Sequence, residues 1–108
     1  IHPTSHFIHG DSHSYETLEK VVNLLDGEKV DFLFIDGDHT YEGVKADYQM
    51  YRHIVKSGGW IGFHDIKDTP FHRRANCRVD LLWSELEGNK VEFVDMSSEL
   101  GGIGLIQV

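Results

Sequence analysis

The sequence predicts an α/β domain with a mainly parallel sheet and helices on its faces. Strand-like and helix-like patterns alternate along the 108 residues, and such alternation favours parallel strands joined by helices. Two runs, Val30–Ile35 and Trp60–Phe63, are almost continuously apolar, which is typical of parallel strands buried on both faces. The segment between them carries apolar residues at helical spacing.

The first half of the chain is predicted to contain two strands and two helices. They are the strand His6–His9, a helix over residues 15–26, the strand Val30–Ile35 and a helix over residues 41–56. Ser12 or Ser14 is expected as the N-cap of the first helix. The helices are identified by apolar residues that recur on one face. These are Leu18, Val21, Val22 and Leu25 in the first, and Val44, Tyr48, Tyr51 and Val55 in the second.

The second half is predicted to add a buried strand, a helix and a terminal hairpin. Ser57–Gly59 is expected to end the second helix before the strand Trp60–Phe63 begins. Residues 66–77 are polar and are interpreted as a loop. A third helix is marked by Val79, Leu82, Trp83 and Leu86. The last strands, over residues 90–96 and 101–108, are separated by a polar turn and are expected to be antiparallel.

Composition excludes several classes of partner. The net charge of −8, from 18 acidic and 10 basic residues, argues against nucleic-acid binding. No apolar run reaches membrane-spanning length and no signal-peptide pattern opens the chain, so no membrane partner is expected. The single cysteine, Cys77, cannot form an internal disulfide, which fits a cytoplasmic location.

Both apolar strands are followed by acids and histidines, "DGDH" at 36–39 and "HD" at 64–65. Ligands of open parallel sheets bind beyond the carboxyl ends of the strands. Because neighbouring strands lie about 4.8 Å apart, we expect Asp36 and Asp65 to be close and to share a cation or proton. Mg²⁺ suits two carboxylates, whereas His39 and His64 shift the preference toward Mn²⁺, Fe²⁺ or Zn²⁺.

Each of these residues also has a structural interpretation. His39 is a candidate base for a substrate hydroxyl, but it can equally be a loop histidine bonded to backbone. Asp36 can cap the next helix, and Asp38 can form an Asx turn. His72 belongs to a small basic island, which we interpret as solvated.

The stretch "VDFLFIDGDHTYEGVKADY", followed by "SGGWIGFHDI", resembles the C-terminal half of class I S-adenosylmethionine-dependent methyltransferases. It is most similar to the small-molecule O-methyltransferase-like group that includes macrocin O-methyltransferases and cephalosporin-hydroxylase-like proteins. The resemblance covers roughly residues 6 to 108. It implies a partial Rossmann-like methyltransferase sheet, with strands in the family order 4-5-7-6, flanking helices and an antiparallel terminal hairpin.

The resemblance also implies roles for the strand-end residues. Asp36 and Asp65 stand where metal-dependent members place metal ligands, and His39 stands where the macrolide-sugar enzymes place the catalytic base. The position after Asp65, often Asn or Asp in the family, is Ile66 here. His64 is therefore the candidate for the remaining metal ligand, with Mg²⁺ or another divalent cation as the ion.

A cofactor loop is implied further upstream. "GDS" resembles the family loop that contacts the adenine ring of S-adenosylmethionine, so Asp11, Ser12 and His13 are the candidate cofactor-binding residues. Gln is familiar where His13 stands.

Residues 1–108 are expected to form a single partial methyltransferase domain. No glycine-rich turn follows a strand and opens a helix in this sequence, so that part of the cofactor site is expected upstream of residue 1. The strand Val30–Ile35 would then lie near an exposed apolar edge. We expect either that a longer native chain covers this edge or that a second copy does, as a homo-oligomer.

The expected function is that of an S-adenosylmethionine-dependent O-methyltransferase in the full-length form, assisted by a divalent metal and acting on a small molecule. Two alternatives stay open. One is a non-catalytic or truncated methyltransferase-fold module for binding or assembly. The other is a metal-dependent hydroxylase-like protein that uses His39, His64 and Asp65.

Overall fold

The computed structural model describes residues 5–95 and 100–108. In chain order its elements are helix α1 (Tyr15–Leu25), strand β1 (Val30–Ile35), helix α2 (Tyr41–Tyr51), a 3-10 turn (Arg52–Ile54), strand β2 (Val55–His64), helices α3 (Pro70–Arg74) and α4 (Val79–Glu85), and strands β3 (Lys90–Phe93) and β4 (Ile103–Gln107). None of the helices in these two ranges has the length and apolar character needed to cross a membrane.

The four strands form one open sheet in the order β1-β2-β4-β3. Strands β1 and β2 are parallel, with Ile35 opposite Phe63. Strand β4 runs antiparallel to both β2 and β3. The α/β class is therefore confirmed, and so is the sheet order with its antiparallel terminal hairpin.

The core lies between the sheet and helices α2 and α4. Its largest fully buried side chains are Val44 from α2, Ile61 and Phe63 from β2, and Val79 from α4. Side chains two apart on a strand share a face, so Ile61 and Phe63 point together toward these helices. Each such side chain contributes about 1.5–3 kcal/mol when it leaves water. This packing fixes β2, which ends at His64 and is followed by Asp65.

The prediction that strand β1 is buried on both faces is wrong. Ile35 is buried, but Phe32 and Phe34 are 50% and 42% exposed. They lie beside Gly62, on the face of the sheet opposite Ile61 and Phe63. Among the described residues β1 pairs only with β2, so the strand forms the sheet edge. The exposed apolar edge expected from the resemblance is present.

Helix α2 ends earlier than predicted, at Tyr51, and strand β2 begins earlier, at Val55. Ser57–Gly59 therefore lies inside a strand instead of ending a helix. Val30 pairs with Val55 whereas Phe32 pairs with Trp60, so the extra residues of β2 bulge out of the ladder. Gly58 has φ +86° there, a conformation that glycine adopts without steric cost.

Two further predictions about the elements need correction. His6–His9 is not a strand but an irregular segment, because no neighbouring strand in the described part of the chain offers it a ladder. Residues 66–77 are not all loop, because Pro70–Arg74 forms helix α3. Thr69 caps that helix by accepting a hydrogen bond from the His72 N–H, and Pro70 occupies its first turn, a standard start signal. The predicted turn before the last strand lies largely in residues 96–99, outside the described residues.

Candidate active site

The carboxyl ends of β1 and β2 bring four predicted residues together. The parallel register sets Ile35 opposite Phe63, so the residues that follow leave the sheet side by side. Donor atoms of Asp36, His39, His64 and Asp65 all lie within 4.8 Å of one another. We call this set the strand-end cluster. The convergence expected from the sequence is therefore present in the fold.

His39 bridges the two carboxylates of the strand-end cluster. Its Nε2 lies 3.1 Å from Asp36 Oδ1 and 3.2 Å from Asp65 Oδ2. Both oxygens can only accept hydrogen bonds when the acids are ionised, so without an ion Nε2 carries the hydrogen and donates it. Accepting a proton from a substrate, or binding a metal, requires the same nitrogen to present its lone pair instead.

His64 contributes a nitrogen that makes no hydrogen bond with any described residue. Its Nδ1 lies 2.9 Å from Asp65 Oδ2 and 3.4 Å from Asp36 Oδ1. Despite these distances the angles are not those of a hydrogen bond, and this buried atom finds no hydrogen-bond partner among residues 5–95 and 100–108. A buried nitrogen without a partner is costly, and one that faces two carboxylates is suited to coordinate a cation. The donor set thus fits a divalent ion.

The backbone directs Asp65 into the cluster by an unusual conformation. Asp65 has φ +66°, a left-handed conformation that costs a residue with a side chain about 1 kcal/mol. Two backbone hydrogen bonds hold this segment, Asp65 N–H to Gly102 O at 2.9 Å and Lys67 N–H to Gly101 O at 2.8 Å. A Cβ on Gly101 would lie 1.8 Å from Asp65 Oδ1, so glycine leaves the space that this carboxylate occupies.

The loop that carries His39 is held by a capped turn. Asp38 Oδ1 accepts hydrogen bonds from the Thr40 N–H and hydroxyl at 2.9 and 2.8 Å. Thr40 Oγ1 in turn accepts from the Gly43 N–H at 3.1 Å and caps helix α2. The hydrogen bonds from Thr40 hold the pKa of Asp38 below its usual range. Asp38 therefore has the structural role considered for it, while the helix cap is Thr40 and not Asp36.

The predicted cofactor loop is tied to helix α2 by a buried acid, Asp47. The Ser12 hydroxyl donates to Asp47 Oδ1 at 2.7 Å. His13 Nε2 lies 3.3 Å from the same oxygen and 3.0 Å from Gly43 O. Both neighbours accept, so this nitrogen carries the hydrogen. Asp11 Oδ1 accepts from the His13 N–H at 2.9 Å, which closes the turn.

A cavity of about 340 Å³ opens beside this loop. Ser12, Asp36 and Asp47 all line it, whereas His13 does not. The Tyr51 hydroxyl, also at the cavity wall, donates to Ser12 O at 2.9 Å. Burial, and next the negative charge of Asp47, raise the pKa of Tyr51, so the phenol stays a donor. The cavity thus connects one predicted cofactor residue with one predicted metal ligand.

A second cleft, of about 440 Å³, lies on the other side of the strand-end cluster. His64 and Asp65 form its polar end, and Phe71 and Phe93 give it exposed aromatic walls. Trp83 is buried in the core and does not line this cleft.

Sequence reasoning missed Asp47 and misjudged His72. Asp47 is only 5% exposed, and it sits on the apolar face of α2 with Val44 and Tyr51 at helical spacing. An acid on such a face is a signal that could have been used. The interpretation of His72 as solvated is wrong, because it is 6% exposed and helix α3 turns it inward.

Comparison with known proteins identifies the fold. The family described as methyltransferase domain matches residues 1–66, more than half of the chain. An uncharacterized protein of Acanthamoeba polyphaga mimivirus is 32% identical over 91 residues, which are 77% of this chain and 40% of the viral protein. The crystal structure of an O-methyltransferase from Bacillus cereus in complex with SAH matches 87% of this chain and 47% of that one, with a TM-score of 0.52 and 16% identity. The chain spans less than half the length of both proteins.

Proposed function

Since the chain belongs to the methyltransferase domain family, we propose that it transfers a methyl group from S-adenosylmethionine to a hydroxyl of a small molecule, with assistance from a divalent metal ion. The observation that carries the proposal is the strand-end cluster, whose four donor residues meet at the carboxyl ends of two parallel strands. Ligands of open α/β sheets bind at such ends.

The proposed ion is held by Asp36, Asp65 and His64. Two carboxylates so close together repel one another without a cation or a proton, and the unpartnered His64 Nδ1 supplies a neutral ligand. Imidazole beside carboxylates favours a borderline ion such as Mn²⁺, Fe²⁺ or Zn²⁺ over Mg²⁺. Because ligand nitrogens must be unprotonated, affinity for the ion should fall as the pH is lowered.

His39 is the proposed base. It reaches the cluster from the loop after β1 and is partly exposed, so an acceptor hydroxyl can approach its Nε2. A bound divalent ion supplies Lewis acidity that lowers the pKa of that hydroxyl. His39 would take the proton while the oxygen attacks the methyl carbon of S-adenosylmethionine. The carbon–sulfur bond breaks, and S-adenosylhomocysteine leaves as a neutral thioether. Most of the acceleration would come from holding the two reactants in line.

The two cavities beside the strand-end cluster support a model in which the methyl donor and the acceptor bind in different cavities. The cavity lined by Ser12 and Asp36 suits the cofactor, and the cleft lined by Phe71 and Phe93 suits an acceptor with an apolar or aromatic body. The cluster contributes residues to both walls. A hydroxyl bound in the cleft would therefore face a methyl donor bound in the cavity.

Metal binding is the first test of this proposal. We expect Mn²⁺, titrated into the chain and followed by electron paramagnetic resonance of the free ion, to bind one site. Asp36→Asn should weaken binding by at least about tenfold, since a neutral amide replaces a ligand anion. The matched control is Asp31→Asn, the same change at the opposite end of β1, where Asp31 pairs with Lys56. Equal binding by Asp36→Asn and wild type would contradict the assignment.

Cofactor binding separates an active domain from a module that keeps only the fold. In equilibrium dialysis with labelled S-adenosylmethionine, one molecule bound for each chain would support a working methyltransferase site. Absence of binding to this chain would favour the non-catalytic or truncated module.

The donor set also supports a hydroxylase-like activity as a second candidate. His39, His64 and Asp65 together offer the two histidines and one carboxylate typical of non-haem iron oxygenases. Such chemistry needs oxygen and an external two-electron reductant. Oxygen uptake by the Fe²⁺-loaded chain with ascorbate, lost in Asp65→Asn, would favour this candidate over methyl transfer.

A further inference from the structure

Asp65 is contacted by a third histidine, which is buried and lies next to one of its carboxylate oxygens. His72, on helix α3, is 6% exposed, and its Nε2 lies 3.5 Å from Asp65 Oδ1. The other oxygen, Oδ2, faces His39 and His64 at 3.2 and 2.9 Å. The two oxygens of one carboxylate therefore face different sets of residues.

Thr69 determines how the His72 ring is oriented. Its Oγ1 accepts a hydrogen bond from the His72 N–H at 3.0 Å and lies 2.5 Å from His72 Nδ1. A hydroxyl that already accepts from the backbone has its own hydrogen to donate, and Nδ1 is the nitrogen within reach. With the Thr69 hydroxyl as donor, Nδ1 is the acceptor and the ring hydrogen lies on Nε2, the nitrogen that is 3.5 Å from Asp65 Oδ1.

We infer that His72 is a positioning residue, whose Nε2–H attracts Oδ1 of Asp65 across the 3.5 Å contact and so keeps Oδ2 directed at the ion site formed with His39 and His64. This inference rests on the proposed function, because Asp65 is a ligand only if the strand-end cluster binds an ion. Partners of this kind orient metal ligands, and their loss typically reduces metal affinity roughly 10- to 100-fold.

The rival interpretation is a second metal site. Donor atoms of Asp65, His72 and Cys77 also lie within 4.8 Å of one another. Nε2 of His72 cannot serve both purposes, because a ring nitrogen that carries a hydrogen has no lone pair for a metal. The hydrogen bond to Thr69 therefore favours the positioning role.

The test compares two substitutions that differ in one property. His72→Gln keeps an N–H donor near the position of Nε2, whereas His72→Leu keeps the bulk and removes the donor. In Mn²⁺ titrations of the chain, His72→Leu should bind roughly 10- to 100-fold more weakly than wild type, and His72→Gln should restore most of the loss. His53→Leu, at an exposed histidine, is the matched control and should bind as wild type does. Thermal unfolding of each variant checks that it is folded.

The outcomes separate this inference from the proposed function. If wild type does not bind Mn²⁺, the ion site and the positioning role are both refuted. If wild type binds and folded His72→Leu binds equally well, only the positioning role is refuted.

Nuclear magnetic resonance provides a readout that does not depend on any variant or ion. Long-range ¹H–¹⁵N correlations should show His72 with its hydrogen on Nε2, and a hydrogen on Nδ1 instead would overturn the inference. A thiolate-to-metal absorption band with Co²⁺, abolished by Cys77→Ser, would also overturn it, because His72 would then belong to a second metal site.

Discussion

Gly101→Ala should damage both the stability of the domain and its ion site. The added Cβ would lie 1.8 Å from Asp65 Oδ1 and 2.7 Å from Asp65 Cα. The oxygen can rotate away, but the Cα belongs to a segment held by two backbone hydrogen bonds. To reach ordinary van der Waals separation the two backbones must move apart by about 0.7 Å. Overpacking of this kind costs about 1–3 kcal/mol.

Thermal denaturation followed by circular dichroism measures this cost. A domain of this size loses about 4–8 °C of melting temperature for each kcal/mol, so Gly101→Ala should melt at least about 4 °C below wild type. Its Mn²⁺ affinity should fall by at least about tenfold, since the displaced carboxylate is a proposed ligand. The loss of affinity should exceed that of a variant destabilised equally at a distant position.

Gly37→Ala is the matched control, because it changes another glycine at the same edge of the sheet. Its added Cβ would meet only Asp47 Oδ2, at an ordinary 3.5 Å, so the change in stability should stay within about 0.5 kcal/mol. The reasoning is refuted if Gly101→Ala melts within about 2 °C of wild type and binds Mn²⁺ with unchanged affinity.

Three other predictions test the loop, the core and the edge. Thr40→Ala removes the cap of helix α2 and should lower the free energy of unfolding by about 1 kcal/mol at neutral pH. Because Thr40 also lowers the pKa of Asp38, the stability of wild type should fall as the pH drops below about 4. Urea titrations at several pH values should show a smaller fall in the variant. Burial, and then the charge of Asp65, raise the pKa of Cys77 in the folded chain. The thiol of the unfolded chain therefore ionises first, and the stability of the domain should decline above about pH 8.5. Iodoacetamide at pH 8 should modify the native thiol far more slowly than the thiol of the urea-unfolded chain. Phe34→Lys places a charge on the exposed edge strand and should reduce self-association measured by sedimentation velocity. Tyr15→Lys, at an aromatic on α1 that is 78% exposed against 42% for Phe34, should not. A monomeric wild type would contradict the homo-oligomer and favour the other alternative, in which a longer native chain covers this edge.

Periodicity in the sequence predicts the order of the main strands and helices, with His6–His9 and Pro70–Arg74 as the two segments assigned wrongly. Apolar runs at Val30–Ile35 and Trp60–Phe63, with helical spacing between them, require a sheet covered by helices. Acidic residues follow both runs, and the carboxyl ends of parallel strands lie at the same edge of the sheet. The sequence therefore also predicts a shared site. The register of Ile35 with Phe63 then brings Asp36 and Asp65 together.

The periodicity does not predict how much of each face is covered. The same apolar run is typical of a central strand and of an edge strand, so the exposure of Phe32 and Phe34 depends on which elements lie beside β1. In short segments, a helix can also be started by its capping residues without a periodic apolar pattern. Thr69 and Pro70 start a helix of five residues that a search for longer periodic segments passes over.

The sequence by itself determined the class of fold, the sheet edge that carries the charged residues and the identity of the candidate ligands. These features depend only on local apolar periodicity and on which residues follow each strand. Only the tertiary structure decided which nitrogen or oxygen faces which neighbour. The left-handed segment at Asp65 is hydrogen-bonded to Gly102 and Asp47 is hydrogen-bonded to Ser12, so both arrangements join residues that are distant in the chain. The contact from His72 to Asp65 depends on how helix α3 packs against the end of β2. Such contacts are set by packing of whole elements, and packing depends on the complete set of side chains rather than on any local pattern.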